Sequence, residues 1–578
     1  MPLETVITKP LEIGTVSERA WLWFLALVCL IILCSNLGTS SLFEPDEGRN
    51  AEKAREILVL NDWVTPHENF LPILDKPIGL YWLIAISYKL FGISEGSARL
   101  PSALAALACS FIVYGFARQH WGLRDALWSC LILVSSFEFF IFARMVIFDM
   151  ALTFCTTLAL LNFYRLVRAD PVQSNRASAF LMYVAMAVGT LIKGPIAVVI
   201  PGMVIFFYLL LTGKWSALMR LHLALGALIF FAIVTPWYVL VDLKNPGYLR
   251  YFLWEEHVIR YVTPHFGRTK SWYYFFAVVS VGLLPWTLLL PVVIRHFWKG
   301  ARKEENLFLL LWVVVPFIFF SLSNAKLPHY ILPIFPALAL LTGRTLAAQL
   351  QSPSQSRLLL LSSVWIVPIG FFSYFLLGAI WPRILASPIR SATIQSMPLI
   401  AGCATLFVFI FAVFLVGQRR RLWKDWGAAY VCTSMGLAIL LNSLTHVVAA
   451  GSFRRVSKPL AQKIAPVFDS GARLVFYNSY LEGLPFYLRI DQPVWLVQSR
   501  EKDDVMGSFY LGEQRPRLWS RQEPVLYTFE EFAQQWNRPG LLLWVVITEK
   551  NLSGLTRMIR ATPRVVGREQ TYVLVTNR

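Results

Sequence analysis

Thirteen apolar runs, most of them close to the ~20 residues a bilayer-spanning helix needs, dominate this 578-residue chain. They lie near 21–38, 98–117, 125–142, 149–168, 178–191, 195–212, 221–241, 272–294, 306–322, 328–348, 357–380, 398–416 and 427–449. In lipid the backbone must satisfy its own hydrogen bonds, and runs of this length do so as helices. Only 15% of the residues are charged, against about 25% in an ordinary soluble protein. The expected class is therefore a mostly α, polytopic membrane protein. Disorder, a collagen-like repeat and a disulfide scaffold are excluded. All seven cysteines (Cys29, Cys34, Cys109, Cys130, Cys155, Cys403 and Cys432) fall inside apolar runs, so neither a disulfide framework nor a metal-type spacing is present. The polar stretch 1–19 leads into run 21–38 without a small-residue cleavage site, and this run reads as a first span and not as a signal peptide.

Loop charge sets the topology. A fourteenth run, 77–92, is short, and counting it as a span reverses every later loop. Without it, and with the N-terminus inside, seven inside segments hold 19 Lys and Arg, while the short outside loops hold about one each. That is the positive-inside pattern. Residues 77–92 are therefore expected to form a helix at or dipping into the interface. The outside then receives 39–97, 242–271 and everything from 450 onward. Short β-rich runs at 472–477, 494–497, 541–547 and 571–576 alternate there with helical stretches such as 528–536. They predict a small soluble α/β domain over 450–578, behind a transmembrane domain over 1–449.

The excess of 53 Lys and Arg over 34 Asp and Glu is thus largely topological. The informative charges are the few left at outer span ends. Pro45-Asp46-Glu47 opens a helical run in which Glu47, Ala51, Ala54 and Leu58 share a face, so this helix is expected on the membrane surface. Asp75-Lys76-Pro77 opens the interfacial helix. Asp149 begins a span five residues after Arg144, Lys193 sits in a polar break, and Lys326, His329 and Tyr330 mark another outer boundary. Each has an ordinary explanation. Acids complement a helix N-terminus, lysines snorkel, and Arg144 could pair with Asp149. Arg260 and Arg268, with His257 and His265, come from the second outside loop. Asp75, His257 and His265 could hold a divalent metal ion, although their spacing fits no standard motif. Together these residues map to one membrane face. Basic groups would hold a phosphate, carboxylates would position or activate a nucleophile, and apolar walls would seat a lipid tail.

PDEGRNAEKAREIL, LDKPIGLYW, FGISEGSARLPSAL, ARMVIFDMALTF, LIKGPIA and KLPHYILPIFPALALL, in this order, resemble the bacterial branch of glycosyltransferase family 39. Members of this protein O-mannosyltransferase-like branch move sugars onto proteins or onto lipid A, aminoarabinose among them. The resemblance implies a GT-C fold of about thirteen transmembrane helices, with juxtamembrane helices in the first loop and a C-terminal α/β domain in the periplasm. It also implies a polyprenyl-phosphate sugar donor. By position, Asp46 matches the family's catalytic acid and Asp149 its second acid. Arg49, Lys76, Lys193, Lys326 and Tyr330 match its basic and tyrosine motif positions. Two positions depart from the pattern: Asn50 stands where Tyr is usual, and Asp75 where Glu is usual.

The expected function is inverting transfer of a sugar from undecaprenyl phosphate to lipid A or a related envelope glycolipid, the sugar being 4-amino-4-deoxy-L-arabinose or a relative. Asp46, Asp149 and Glu47 are the expected catalytic residues. Arg49, Asp75, Lys76, Lys193, Arg260, Arg268, Lys326 and Tyr330 are the expected substrate ligands. A bacterial inner-membrane monomer with no nucleic-acid partner is expected. The rival readings are a protein O-glycosyltransferase and a lipid-linked sugar transporter.

Overall fold

The computed structural model describes residues 17–168, 176–262, 269–299, 303–351, 426–451, 456–466, 468, 471–498, 506, 525–559 and 562–578. Eleven of the thirteen apolar runs fall on described helices, and the runs 357–380 and 398–416 lie outside the described residues. In chain order the first helices are α1 (Glu18–Cys34), α2 (Asp46–Leu60), α3 (Gly79–Phe91), α4 (Glu95–His120), α5 (Leu123–Ser135), α6 (Phe137–Ala143), α7 (Phe148–Arg168), α8 (Arg176–Lys193), α9 (Ile196–Thr212) and α10 (Leu223–Lys244). Six of the described helices are long and apolar enough to cross a membrane, or eight if each of two bent pairs counts as one span. The bends part α5 from α6 by 65°, and Tyr274–Gly282 from Trp286–Phe297 by 106°. At 1.5 Å per residue the 13-residue α3 is about 20 Å long, too short to cross a ~30 Å core.

The C-terminal region is a six-stranded sheet in the order β5-β4-β3-β6-β8-β7. Its strands are β3 (Arg473–Tyr477), β4 (Trp495–Val497), β5 (Leu526–Tyr527), β6 (Leu543–Thr548), β7 (Arg564–Glu569) and β8 (Tyr572–Thr576), while β1 (His67–Glu68) and β2 (Leu71–Pro72) pair separately in the first loop. Strands β5, β4, β3 and β6 run parallel, β8 runs antiparallel to β6, and β7 antiparallel to β8. Parallel strands are usually buried on both faces, which explains their unbroken apolar sequences. Leu474 and Phe476 face one core, with Leu71 and Ile73 of the first loop. Val475 and Tyr477 face the other, with Phe532 and Leu555. The helix Phe529–Trp536 starts at a capping box, in which Glu531 N donates to Thr528 Oγ1 at 3.2 Å and Thr528 N to Glu531 Oε2 at 2.8 Å.

The sheet region is clamped to the first loop. Leu42 N donates to Tyr487 Oη (2.7 Å) and Gly483 N to Glu44 Oε1 (3.1 Å), while Asn69 exchanges two hydrogen bonds with Val494 (2.7 and 3.0 Å). The chains approach closely at two glycines. A Cβ on Gly48 would stand 2.7 Å from Gly483 N, and one on Gly483 would stand 2.4 Å from Glu44 Oε1.

The clamp also covers the charged side of helix α2. Glu47, Glu52, Lys53, Arg55 and Glu56 are all buried, because first-loop and C-terminal residues cover the polar side. Its charges are answered internally, by Arg55–Glu52 (2.6 Å), Lys53–Glu68 (3.3 Å) and Arg49–Glu482 (2.9 Å). Arg55 also donates to the carbonyl of Ile490.

Candidate active site

A cavity of about 770 Å³ opens where α2, α3, α7, α8 and the 3₁₀ turn Pro328–Ile334 meet. Helix α2 supplies Asp46, Arg49, Asn50 and Lys53. These stand at i, i+3, i+4 and i+7, the spacing of one helical face. Asp75 and Lys76 precede α3, which adds Tyr81. Asp149 is the second residue of α7, and Lys193 is the last of α8. Glu256 and His257 come from a π-helical turn, Tyr251–Ile259. His329 and Tyr330 come from the 3₁₀ turn, and Ile196, Val199, Leu253, Phe319 and Phe320 make apolar wall.

The acids differ in how they are held. Lys193 Nζ hydrogen-bonds Asp149, His329 Nε2 lies 3.7 Å from the same carboxylate, and Lys193 also rides over the Tyr330 ring at 4.9 Å. One ion pair with a cation–π contact thus joins three separate sequence motifs. Lys76 Nζ pairs with Glu256 and donates to the Asp75 backbone carbonyl at 3.1 Å. The Asp75 carboxylate accepts from Tyr251 Oη at 3.1 Å. Asp46 makes no hydrogen bond or ion pair with a described residue, yet it lines the cavity.

Asn50 donates to the Val146 carbonyl at 2.8 Å and faces Tyr81 Oη at 3.4 Å. Arg49 lines the cavity, but its guanidinium is drawn toward the sheet region: Nη2 donates to Glu482 (2.9 Å) and to the Met506 carbonyl (2.7 Å). Burial works against the Lys53 ammonium, yet Tyr81, Glu68 and Asp75 hold its pKa above the ordinary value.

Two of the expected site residues, Glu47 and Lys326, do not line the cavity. Glu47 faces away from the cavity and is fully buried. Its two oxygens take Arg99 Nε and Nη2, each at 2.8 Å, together with the backbone N–H groups of Phe43 (2.9 Å) and Val146 (3.1 Å). One residue along a helix turns a side chain by about 100°, and that rotation separates a bracing acid from the cavity acid Asp46. Lys326, buried as well and not itself a lining residue, donates to the carbonyls of Lys270 (3.1 Å) and Ser323. Arg144 does not meet Asp149; it caps α1 through the carbonyls of Ile32 (3.0 Å) and Ser35. The Arg260 side chain, His265 and Arg268 lie outside the described residues. Among the described residues no three His, Cys, Asp or Glu side chains converge as metal ligands, and His257 Nδ1 is bonded to the Phe252 carbonyl at 2.7 Å.

Lys53 and Tyr81 are cavity residues that the sequence reading does not single out, though Lys53 is legible as the i+7 partner of Asp46. Glu256 stands next to His257, and beside the two loop histidines it reads as a possible metal ligand, in a segment that reads more readily as a solvated loop.

The clamp carries its own titration. Burial, and repulsion from Glu68, push the Glu482 carboxyl up to about 7 despite the nearby Arg49. Burial and the Glu482 charge raise Glu44 well above the usual carboxylate range. An acid with a raised folded-state pKa binds more protons folded than unfolded, so stability falls as pH rises. The contribution is full below about 4.5 and is lost as pH passes 7. Amide exchange in 471–498 is therefore expected to speed up between pH 5 and 8 by more than its intrinsic base catalysis. Glu482→Gln should flatten that excess, and an unchanged excess in the variant would exclude this carboxyl as its source.

The model of the family described as dolichyl-phosphate-mannose-protein mannosyltransferase matches residues 75–239. The undecaprenyl phosphate-alpha-4-amino-4-deoxy-L-arabinose arabinosyl transferase of Aeromonas hydrophila is 34% identical over 518 residues, covering 84% of this chain and 92% of that protein. Its namesake from Aeromonas salmonicida is 29% identical over 516 residues, with the same two shares. The crystal structure of ArnT from Cupriavidus metallidurans bound to undecaprenyl phosphate superposes with a TM-score of 0.84 at 26% identity, covering 97% of this chain and 99% of that one. The fold and cavity define a membrane-embedded glycosyltransferase of the GT-C fold. Within that class, the chain belongs to the family of undecaprenyl phosphate-alpha-4-amino-4-deoxy-L-arabinose arabinosyl transferases.

Proposed function

We propose that this enzyme moves 4-amino-4-deoxy-L-arabinose from undecaprenyl phosphate to a phosphate group of lipid A or a related envelope glycolipid. The reaction takes place at the periplasmic face of the bacterial inner membrane, and the enzyme works as a monomer. The observation that carries this reading is the state of the cavity acids and bases. Asp46 stands without a bonded partner among the described residues, while Lys76 and Lys193 each hold a carboxylate whose place a phosphate oxygen can take. The catalytic unit in this reading is 1–449, and 450–578 is a periplasmic unit docked on its first loop. The contacts between the two support their lying on one side of the membrane.

In the reaction the bond between C1 of the sugar and the donor phosphate oxygen breaks, and its electron pair leaves on that oxygen. An acceptor phosphate oxygen attacks C1 from the other face, which inverts the anomeric centre. Lys76 and Lys193 stabilise the charge on the departing phosphate, a role preorganised cations fill well in a water-poor cavity. Asp46 stabilises the positive charge that develops on the ring and orients the acceptor. An acceptor phosphate is already an anion, so no strong base is required. Asp149 holds Lys193 and His329 in place, and the apolar wall takes the prenyl chain.

The test supplies membranes with donor labelled in the sugar. Label is expected in a glycolipid, joined through phosphate. Label in protein would assign the chain to protein O-glycosylation, and label that crosses the membrane without a product would assign it to transport.

A further inference from the structure

The charges around Lys76 do not balance for a site that binds phosphate alone. Lys193 answers Asp149, Lys53 answers Glu68, and Arg49 answers Glu482. Lys76 turns to Glu256. The Asp75 carboxylate is left with the Tyr251 hydroxyl as its hydrogen-bond partner among the described residues. Arg49 and Lys53 feel its field, but both are held by their own acids. Carboxylates from two different elements, Asp75 and Glu256, thus line the cavity beside Lys76, and Asp75 and Asp46 are both left without a basic partner among the described residues. A cavity built only for a phosphodiester gains nothing from that arrangement, since each acid repels the phosphate. A donor that carries a cation as well as a phosphate reverses the sign.

We propose that Asp75 and Glu256 form a seat for the protonated amine of the donor sugar, and that they set the preference for an amino sugar over a neutral or N-acylated one. This rests on the amino-sugar reading above. In the bound donor, Lys76 faces the phosphate, and the two acids that line the cavity near it take the ammonium. Tyr251 fixes the orientation of Asp75 through the 3.1 Å hydrogen bond. The donor is then bound as a zwitterion, each of its charges meeting the opposite one. An amide in place of the amine loses the positive charge and leaves a carboxylate facing a neutral group, which is costly in a desolvated site.

The test measures equilibrium binding of three lipids to the full-length protein without acceptor. The lipids are undecaprenyl phosphate, the same lipid carrying the free amino sugar, and its N-acetylated form. In Glu256→Gln the amino-sugar lipid is expected to bind about 10- to 100-fold more weakly, the range for a lost charge-assisted hydrogen bond. Undecaprenyl phosphate should bind as well or better, since a repelling neighbour has gone, and the N-acetylated lipid should change little. Asp75→Asn, made in parallel, should show the same pattern if Glu256→Gln fails to fold. Equal weakening for all three lipids overturns the seat and makes Glu256 a positioning residue for Lys76. If the unaltered protein shows no transfer from the free-amine donor, the functional reading fails and the seat fails with it. Transfer with no selective loss in either variant rejects the seat alone.

Discussion

Asp46→Asn is expected to lower sugar transfer by about 10³-fold, in line with the loss of a single preorganised electrostatic group at a reacting centre. The same variant should unfold at the temperature of the parent, because Asp46 forms no hydrogen bond or ion pair with a described residue and the amide has the shape of the carboxylate. Activity and stability are therefore separable at this position. Rates in reconstituted membranes and thermal unfolding in detergent check the two halves. Transfer at the parental rate by the Asp46→Asn variant would remove the carboxylate from the mechanism. Early unfolding of that variant would give Asp46 a structural role that its geometry does not show.

The second large effect lies one residue away, and in stability. Arg99 is buried, pairs with Glu47 through two nitrogens, and donates to the carbonyls of Leu37 (2.7 Å), Ser40 (2.7 Å) and Ser41 (3.0 Å). Arg99→Ala leaves the Glu47 charge buried without its partner and strips three carbonyls at the end of the first span. Breaking one side of such a pair costs about 3–5 kcal/mol. The variant is expected to accumulate poorly and to unfold early, while any folded fraction keeps its donor affinity. An Arg99→Ala protein with parental thermal stability would show that water or a neighbour replaces the pair.

The adjacent acids show where reading a sequence stops. Asp46 and Glu47 share a motif, and only the rotation of α2 decides which one meets the cavity. That rotation is set by what packs against the helix, the sheet region among it, and a local pattern does not record this. Lys193 and Lys326 were equivalent by the same measure, each a lysine at the outer end of an apolar run. One now holds Asp149, and the other holds two backbone carbonyls.

Apolar helices were easier to place than site residues, because lipid imposes a length on them. Even so, the runs 125–142 and 272–294 read as unbroken and are bent by 65° and 106°. Tertiary contacts such as Trp286 Nε1 to Ser135 Oγ at 2.9 Å accompany these bends, and hydropathy is blind to them. Strands β3, β4, β6 and β8 were legible as apolar runs, whereas the two-residue β5, buried though it is, is too short to show a pattern. The edge strand β7, exposed along most of its length, carries no apolar pattern and was not expected.

The hydrogen bond from Gly483 to Glu44 spans 439 positions, and this has a consequence for the order in which the enzyme is made. At about 5–20 residues per second, a ribosome needs on the order of 20–90 seconds to travel from one partner to the other. Throughout that interval α2 and its charges lack the sheet region that covers them. The membrane helices can insert while this segment waits, and the catalytic face is finished only when late-synthesised strands arrive. A chain released early would hold every motif of the first loop and still lack the wall against which α2 is set.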